Sequence, residues 1–118
     1  MTEKFIEKIL IKINTIYTCY YEEATKGAKF PYCVVPTLVL TPLDSGYMCM
    51  VDIELYNDEF TDTSIEKMCD DLREELDGYS YKDENIGYHL GFESQYLSKS
   101  NEQDLTYRKI TFVSRIFK

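Results

Sequence analysis

The sequence predicts an α+β domain: a four-stranded, mainly antiparallel sheet with two helices packed on one face, in the order α-β-β-α-β-β, over residues 1–118. Three observations predict it. Apolar residues recur at helical spacing in the first twenty positions, residues 47–56 carry a period-2 pattern, and a second helical stripe begins at Ile65. The length suits one domain, and 44% hydrophobic with 29% charged residues is the balance of a globular protein, too apolar for disorder.

The elements follow in order. Phe5, Ile6, Ile9, Leu10, Ile13, Ile16, Tyr17 and Tyr20 form the stripe of a first helix, with Glu3, Lys4, Glu7, Lys8 and Lys12 mostly opposite. Its isoleucines are weak helix formers, so packing must hold it. Gly27 and Pro31 end it. Residues 31–40, PYCVVPTLVL, read as a strand whose Pro36 calls for an edge position, a bulge or a late start. Residues 41–46, TPLDSG, read as a turn.

In residues 47–56, YMCMVDIELY, Tyr47, Cys49, Val51, Ile53 and Leu55 take one face. Met48, Met50, Asp52, Glu54 and Tyr56 take the other. The next segment turns into a helix. Thr63 and Glu66 fit a capping box, with Thr61 as rival cap. Ile65, Met68, Cys69, Leu72 and Leu76 form its buried stripe, and Gly78 stops it. Residues 79–85 read as a loop. Residues 86–97 read as a strand with Ile86, Tyr88, Leu90 and Phe92 inward and Gly87 and Gly91 outward. After a polar turn, 105–117 read as a long last strand. Ile110, Phe112 and Ile116 face inward, and Tyr107, Lys109, Thr111, Val113 and Arg115 face outward.

Composition excludes several classes. The formal charge is −8, and the basic residues are scattered, so sequence-specific nucleic-acid binding is not expected. Two indirect relations to DNA remain open: lining a channel that repels it, or mimicking it. The four cysteines, Cys19, Cys33, Cys49 and Cys69, lack C-x-x-C spacing and read as buried reduced thiols. The single His89 reads as polar surface rather than a zinc ligand or a catalytic base. Charges run through the N-terminal segment, so it lacks a signal-peptide core, and no stretch reaches membrane-span length. A soluble, cytoplasmically made protein is expected.

The stretch VDIELYNDEFTD, residues 51–62, holds five carboxylates: Asp52, Glu54, Asp58, Glu59 and Asp62. A calcium loop would need alternating oxygen ligands and a central glycine, and no glycine occurs. Structure accounts for all five. Asp52 and Glu54 sit on the outer strand face, and the other three crowd a helix start, where the macrodipole favours negative charge. No nucleotide-binding or hydrolase motif occurs, so catalytic residues, metal and cofactor are all expected to be absent.

A resemblance emerges from the order of these pieces. PYCVV leads to the strand VDIELYND, then to the helix IEKMCDDLREELDG, a polar loop and the closing EQDLTYRKITFVSRIF. Asp104, Tyr107, Arg108, Lys109 and Phe112 carry the last part. This chain resembles the small tail-terminator, or tail-completion, proteins of long-tailed bacteriophages and prophages, over most of residues 31–117. Pro36 with the following TLVL departs from the pattern, where one clean strand is expected. The resemblance implies a ring of subunits, commonly a hexamer, at the head-proximal end of the tail tube. The ring ends tube polymerisation and joins the tail to the head connector. The implied partners are the chain itself, the tail tube protein and a head-completion or connector protein, with no membrane. The implied place is the virion head–tail junction, after synthesis in the host cytoplasm.

On that reading the outer strand face supplies the contacts: Met48, Met50, Asp52, Glu54, Tyr56, Tyr107, Lys109 and Arg115. Two polar loops supply others, through Leu43, Asp44 and Ser45 and through Lys99, Asn101 and Glu102. The competing class is a small acidic phage-encoded inhibitor that mimics nucleic acid, since residues 58–77 hold nine carboxylates. Another neck adaptor of the same fold is a third.

Overall fold

The computed structural model describes residues 2–58, 64–96 and 105–117. Helix α1 spans Thr2–Asn14 and α2 spans Ile65–Leu76. The strands are β1 (Cys19–Tyr21), β2 (Tyr32–Val35), β3 (Leu40–Leu43), β4 (Gly46–Asp58), β5 (Ser80–Lys82), β6 (Gly87–Tyr96) and β7 (Leu105–Phe117). All seven belong to one sheet, ordered β1-β2-β4-β7-β6-β5 with β3 beside β4, and it curls into a half-barrel. The expected four-stranded sheet in the order α-β-β-α-β-β is therefore wrong.

Three local effects account for the difference. The apolar stripe that reads as helix through Tyr20 stops at Asn14. Asn14 donates from Nδ2 to the carbonyls of Leu10 and Cys19, and its Oδ1 accepts from the Cys19 N–H at 2.9 Å. That side chain substitutes for the next helical turn and swings the chain into β1, which pairs in parallel with β2. Next, the single strand expected over 31–40 splits at Pro36. β2 pairs with the Glu54–Tyr56 part of β4 and β3 with the Gly46–Cys49 part, so both line one edge of the same long strand. β3 pairs with β4 alone, and an edge tolerates the missing N–H of Pro42. The expected turn at 41–46 shrinks to Asp44 and Ser45. Last, the expected loop at 79–85 contains β5, which adds an edge to β6 through Ser80↔His89 and Tyr81↔Tyr88.

The spine is β4 against β7, antiparallel over twelve positions from Tyr47↔Ile116 to Asp58↔Leu105. Gly46, at the tip of the β3–β4 hairpin, has φ +132°, and a Cβ there would collide with the Ile116 carbonyl oxygen. Only glycine fits this approach of two backbones.

The inner face holds the core. Cys49, Val51, Ile53 and Leu55 of β4 and Ile110, Phe112 and Ile116 of β7 are buried with Phe5, Ile9 and Ile13 of α1. The five α2 stripe residues named from periodicity are all buried in the same cluster. Each Val, Leu, Ile, Phe or Met side chain among them contributes roughly 1.5–3 kcal/mol by leaving water. Ser64, not Thr63, caps α2: its side chain accepts from the Lys67 N–H at 3.1 Å. Thr61 and Thr63 lie outside the described residues, as do Glu59 and Asp62. Arg108, 7% exposed, bonds the Tyr107 carbonyl and reaches Glu66 of α2 at 2.8 Å, pinning that helix to the end of β7.

Candidate interaction face

The period-2 rule places the candidate residues before any contact is considered. Alternate positions of β4 and β7 enter the core, so the positions between them face out. The register then brings all eight predicted face residues together on two neighbouring strands. Met48 lies opposite Arg115, Met50 opposite Val113, Asp52 opposite Thr111, Glu54 opposite Lys109, and Tyr56 opposite Tyr107. Met50 is 45% exposed, a large value for an apolar side chain mid-strand.

The Tyr56–Tyr107 end extends further than the sequence indicates. Tyr32 of β2 lies in register with Tyr56, so three tyrosines stand in one row across β2, β4 and β7. Their rings are 5.2 Å apart between Tyr32 and Tyr56 and 5.3 Å between Tyr56 and Tyr107. Phe30 stacks on Tyr32 at 5.4 Å, and Tyr20 of β1 meets it edge-on at 5.9 Å. Val34 is buried on this same side, between Tyr20 and Glu54 in the pairing register. Such cross-strand aromatic pairs each add a few tenths to about 1 kcal/mol. The rings remain partly exposed, so they offer a broad apolar surface with polar tips.

Two carboxylates sit inside this array. Glu54 accepts from the Tyr56 hydroxyl at 3.4 Å through Oε1 and from the Tyr107 hydroxyl at 3.3 Å through Oε2. Asp52 accepts from the Thr111 hydroxyl at 2.6 Å. Burial, followed by the nearby Glu54 charge, pushes the Tyr56 and Tyr107 phenols up to about 12. Burial, with Tyr20 second, also raises Tyr32. The phenols are thus neutral donors at neutral pH. The ion pairs between described residues are Lys12–Glu75, Lys67–Asp71 and Arg108–Glu66, none of which involves Asp52 or Glu54. The two outer carboxylates are held by hydroxyls.

The sequence misses Tyr20, Phe30, Tyr32 and Val34. For Tyr32 and Val34 the signal is the alternation in YCVV, where Cys33 and Val35 enter the core and Tyr32 and Val34 face out; Tyr20 and Phe30 lie outside it. Of the loop candidates, Leu43 closes β3 and Asp44 with Ser45 forms the hairpin tip, all exposed. Lys99, Asn101 and Glu102 lie outside the described residues.

Other reactive groups lie apart from this face or at its far end. The cysteines are buried, and burial pushes Cys49 and Cys69 up to about 11, Cys19 to about 12 and Cys33 upward too, so they stay as unreactive thiols. His89 is exposed on β6, its Nδ1 2.6 Å from Ser80 Oγ. Among the described residues, no group of three or more His, Cys, Asp or Glu side chains is placed to hold a metal ion. No helix among them is long and apolar enough to cross a membrane. Neither a protein-family model nor a curated protein matches this chain.

Proposed function

We propose that this chain is a structural protein of a bacteriophage head–tail junction. It assembles as a ring, commonly of six subunits, on the head-proximal end of the tail tube. There it ends tube polymerisation and presents a surface to the head connector. Its work is binding, without catalysis.

The observation that carries the reading is the outer face of β4 and β7. It combines partly exposed tyrosine rings, an exposed Met50 and two carboxylates without an ion-pair partner among the described residues. Protein interfaces favour this mixture of aromatic and methionine side chains, whose large area comes at low entropy cost. Two further points support it. The order of segments along residues 31–117 resembles that of tail-terminator proteins. The net charge of −8 suits a ring lumen through which DNA passes without sticking.

The test is electron microscopy of particles made by a phage whose copy of this gene is deleted. DNA-filled heads beside separate tails, some overlong, are expected. Normal joined particles would overturn the reading. The exposed acidic side of α2, with Asp70, Glu74 and Glu75, would then make an inhibitor of a basic host protein the leading alternative.

A further inference from the structure

The outer face is polarised along β4 and β7. At one end stand the tyrosine row and Glu54, with Asp52 two residues nearer the middle. Met50 and Val113 occupy the middle. At the other end Arg115 lies between Met48 and His89, and His89 pairs with Ser80. One row further on, Phe117 pairs with Gly87, and Gly87 with Lys82. Arg115, His89 and Lys82 are all exposed. Arg115 is four residues beyond Thr111 on the same face, about 13 Å along the strand. This basic end borders a cleft of about 530 Å³ lined by Pro42, Leu43, Tyr47 and Phe117. Leu43 and Phe117 are 41% and 44% exposed.

We propose that these two ends are the two halves of one head-to-tail contact, the occupant of each being a second copy of this chain. Glu54, Asp52 and the tyrosine rings of one copy seat on Arg115, Lys82 and the Leu43–Phe117 cleft of the next. The proposal rests on the ring reading above and names the residues that form the ring contact. Charge complementarity argues for it. One end has two carboxylates, Asp52 and Glu54, with no ion-pair partner among the described residues, beside a single lysine, Lys109, and the other has exposed Arg115 and Lys82 beside apolar surface. The tyrosine row adds apolar area with polar tips, which suits the apolar lining of the cleft. A contact between opposite ends of the strands joins two different patches, repeats from copy to copy, and closes into a ring when the rotation closes.

Charge exchange tests it. Glu54→Arg and Arg115→Glu are each expected to abolish oligomers, read by light scattering after size exclusion, while far-UV circular dichroism and the urea midpoint show a folded monomer. The double variant Glu54→Arg/Arg115→Glu restores the attraction with reversed sign, and an equal mixture of the two single variants does the same. Wild-type association is expected to weaken steeply with salt. If Glu54→Arg fails to fold, Asp52→Lys paired with Lys82→Glu repeats the exchange. Single variants that assemble like wild type, a double variant that stays apart although folded, or a wild type monomeric at its highest soluble concentration would each overturn the contact. None of these results touches the gene-deletion experiment, so the failure of this contact and the failure of the junction role are read separately.

Discussion

The two faces of strand β4 differ in what they touch and in how far they are shielded from water. On the inner face Cys49, Val51, Ile53 and Leu55 are at most 1% exposed and belong to the same core as both helices' stripes. On the outer face Met48, Met50, Asp52, Glu54 and Tyr56 alternate with them and keep contact with water. The same backbone hydrogen bonds hold both. The inner set is irreplaceable for folding because each side chain fills space that nothing else fills. On the outer face ring contacts hold Tyr56, and hydroxyl bonds hold Asp52 and Glu54. Core packing and contact with water are thus assigned to odd and even positions of one strand.

The contrast breaks most sharply with an inner truncation. Phe112→Ala should cost about 3–5 kcal/mol and Ile53→Ala about 2–5 kcal/mol, seen as a large fall in the urea midpoint. An outer position that cost as much would remove the distinction between the faces. Gly46→Ala should come next, at about 1–3 kcal/mol, because its φ is positive and its Cβ would strike the Ile116 carbonyl. The same urea titration checks it, and an unchanged midpoint would mean that the hairpin and β7 move apart easily. Met50→Asp should abolish the proposed ring while changing stability by less than about 1 kcal/mol, and Tyr56→Asp should abolish it at a cost of about 1–2 kcal/mol, because two ring contacts go with it. Native mass spectrometry showing intact rings in either variant would remove the outer face from the interface.

Two smaller effects sharpen the contrast through pH. Lys67, whose Nζ is 2.9 Å away, and then the Tyr17 hydroxyl hold the Asp71 carboxyl below the usual carboxylate range. A depressed folded-state pKa stabilises the protein above the unfolded value of about 3.9, and the contribution is lost as pH falls through the folded value. The stability difference between wild type and Asp71→Asn should therefore be present at neutral pH and vanish in acid. A difference that persisted in strong acid would show a role other than charge. At the alkaline end the sign reverses. Tyr56 and Tyr107, raised to about 12, contribute stability that is complete below the unfolded value of about 10 and declines as pH climbs from there to 12. Ultraviolet titration of Glu54→Gln should show both phenols ionising at lower pH than in wild type. The shift should be small, because burial is the larger cause.

Much of the two central strands was legible in the sequence. The alternation from Tyr47 to Tyr56 sorted every residue of that segment to a face, and the register then set the eight predicted face residues on two neighbouring strands. The α2 stripe was equally plain, since Ile65, Met68, Cys69, Leu72 and Leu76 recur at one helical spacing. These patterns are written in consecutive residues, and a period of 2 or 3.6 needs no knowledge of distant neighbours.

Tertiary structure decided what no local pattern encodes. β1 and β5 are each three residues long, too short for a period to show, and they exist because β2 and β6 offer them edges to pair with. Pro36 signalled an interruption, but only the length of β4 allowed both fragments to settle along one partner and raised the sheet to seven strands. The helix that should have run through Tyr20 ended at Asn14 because a side chain bonded the backbone on both sides of the turn. The tyrosine row depends on the same long-range pairing. Tyr32, Tyr56 and Tyr107 come from three distant segments, and only hydrogen bonding between their strands sets the rings about 5 Å apart. Periodicity determines which side of an element faces in, and strand pairing across the chain determines which outward residues become neighbours.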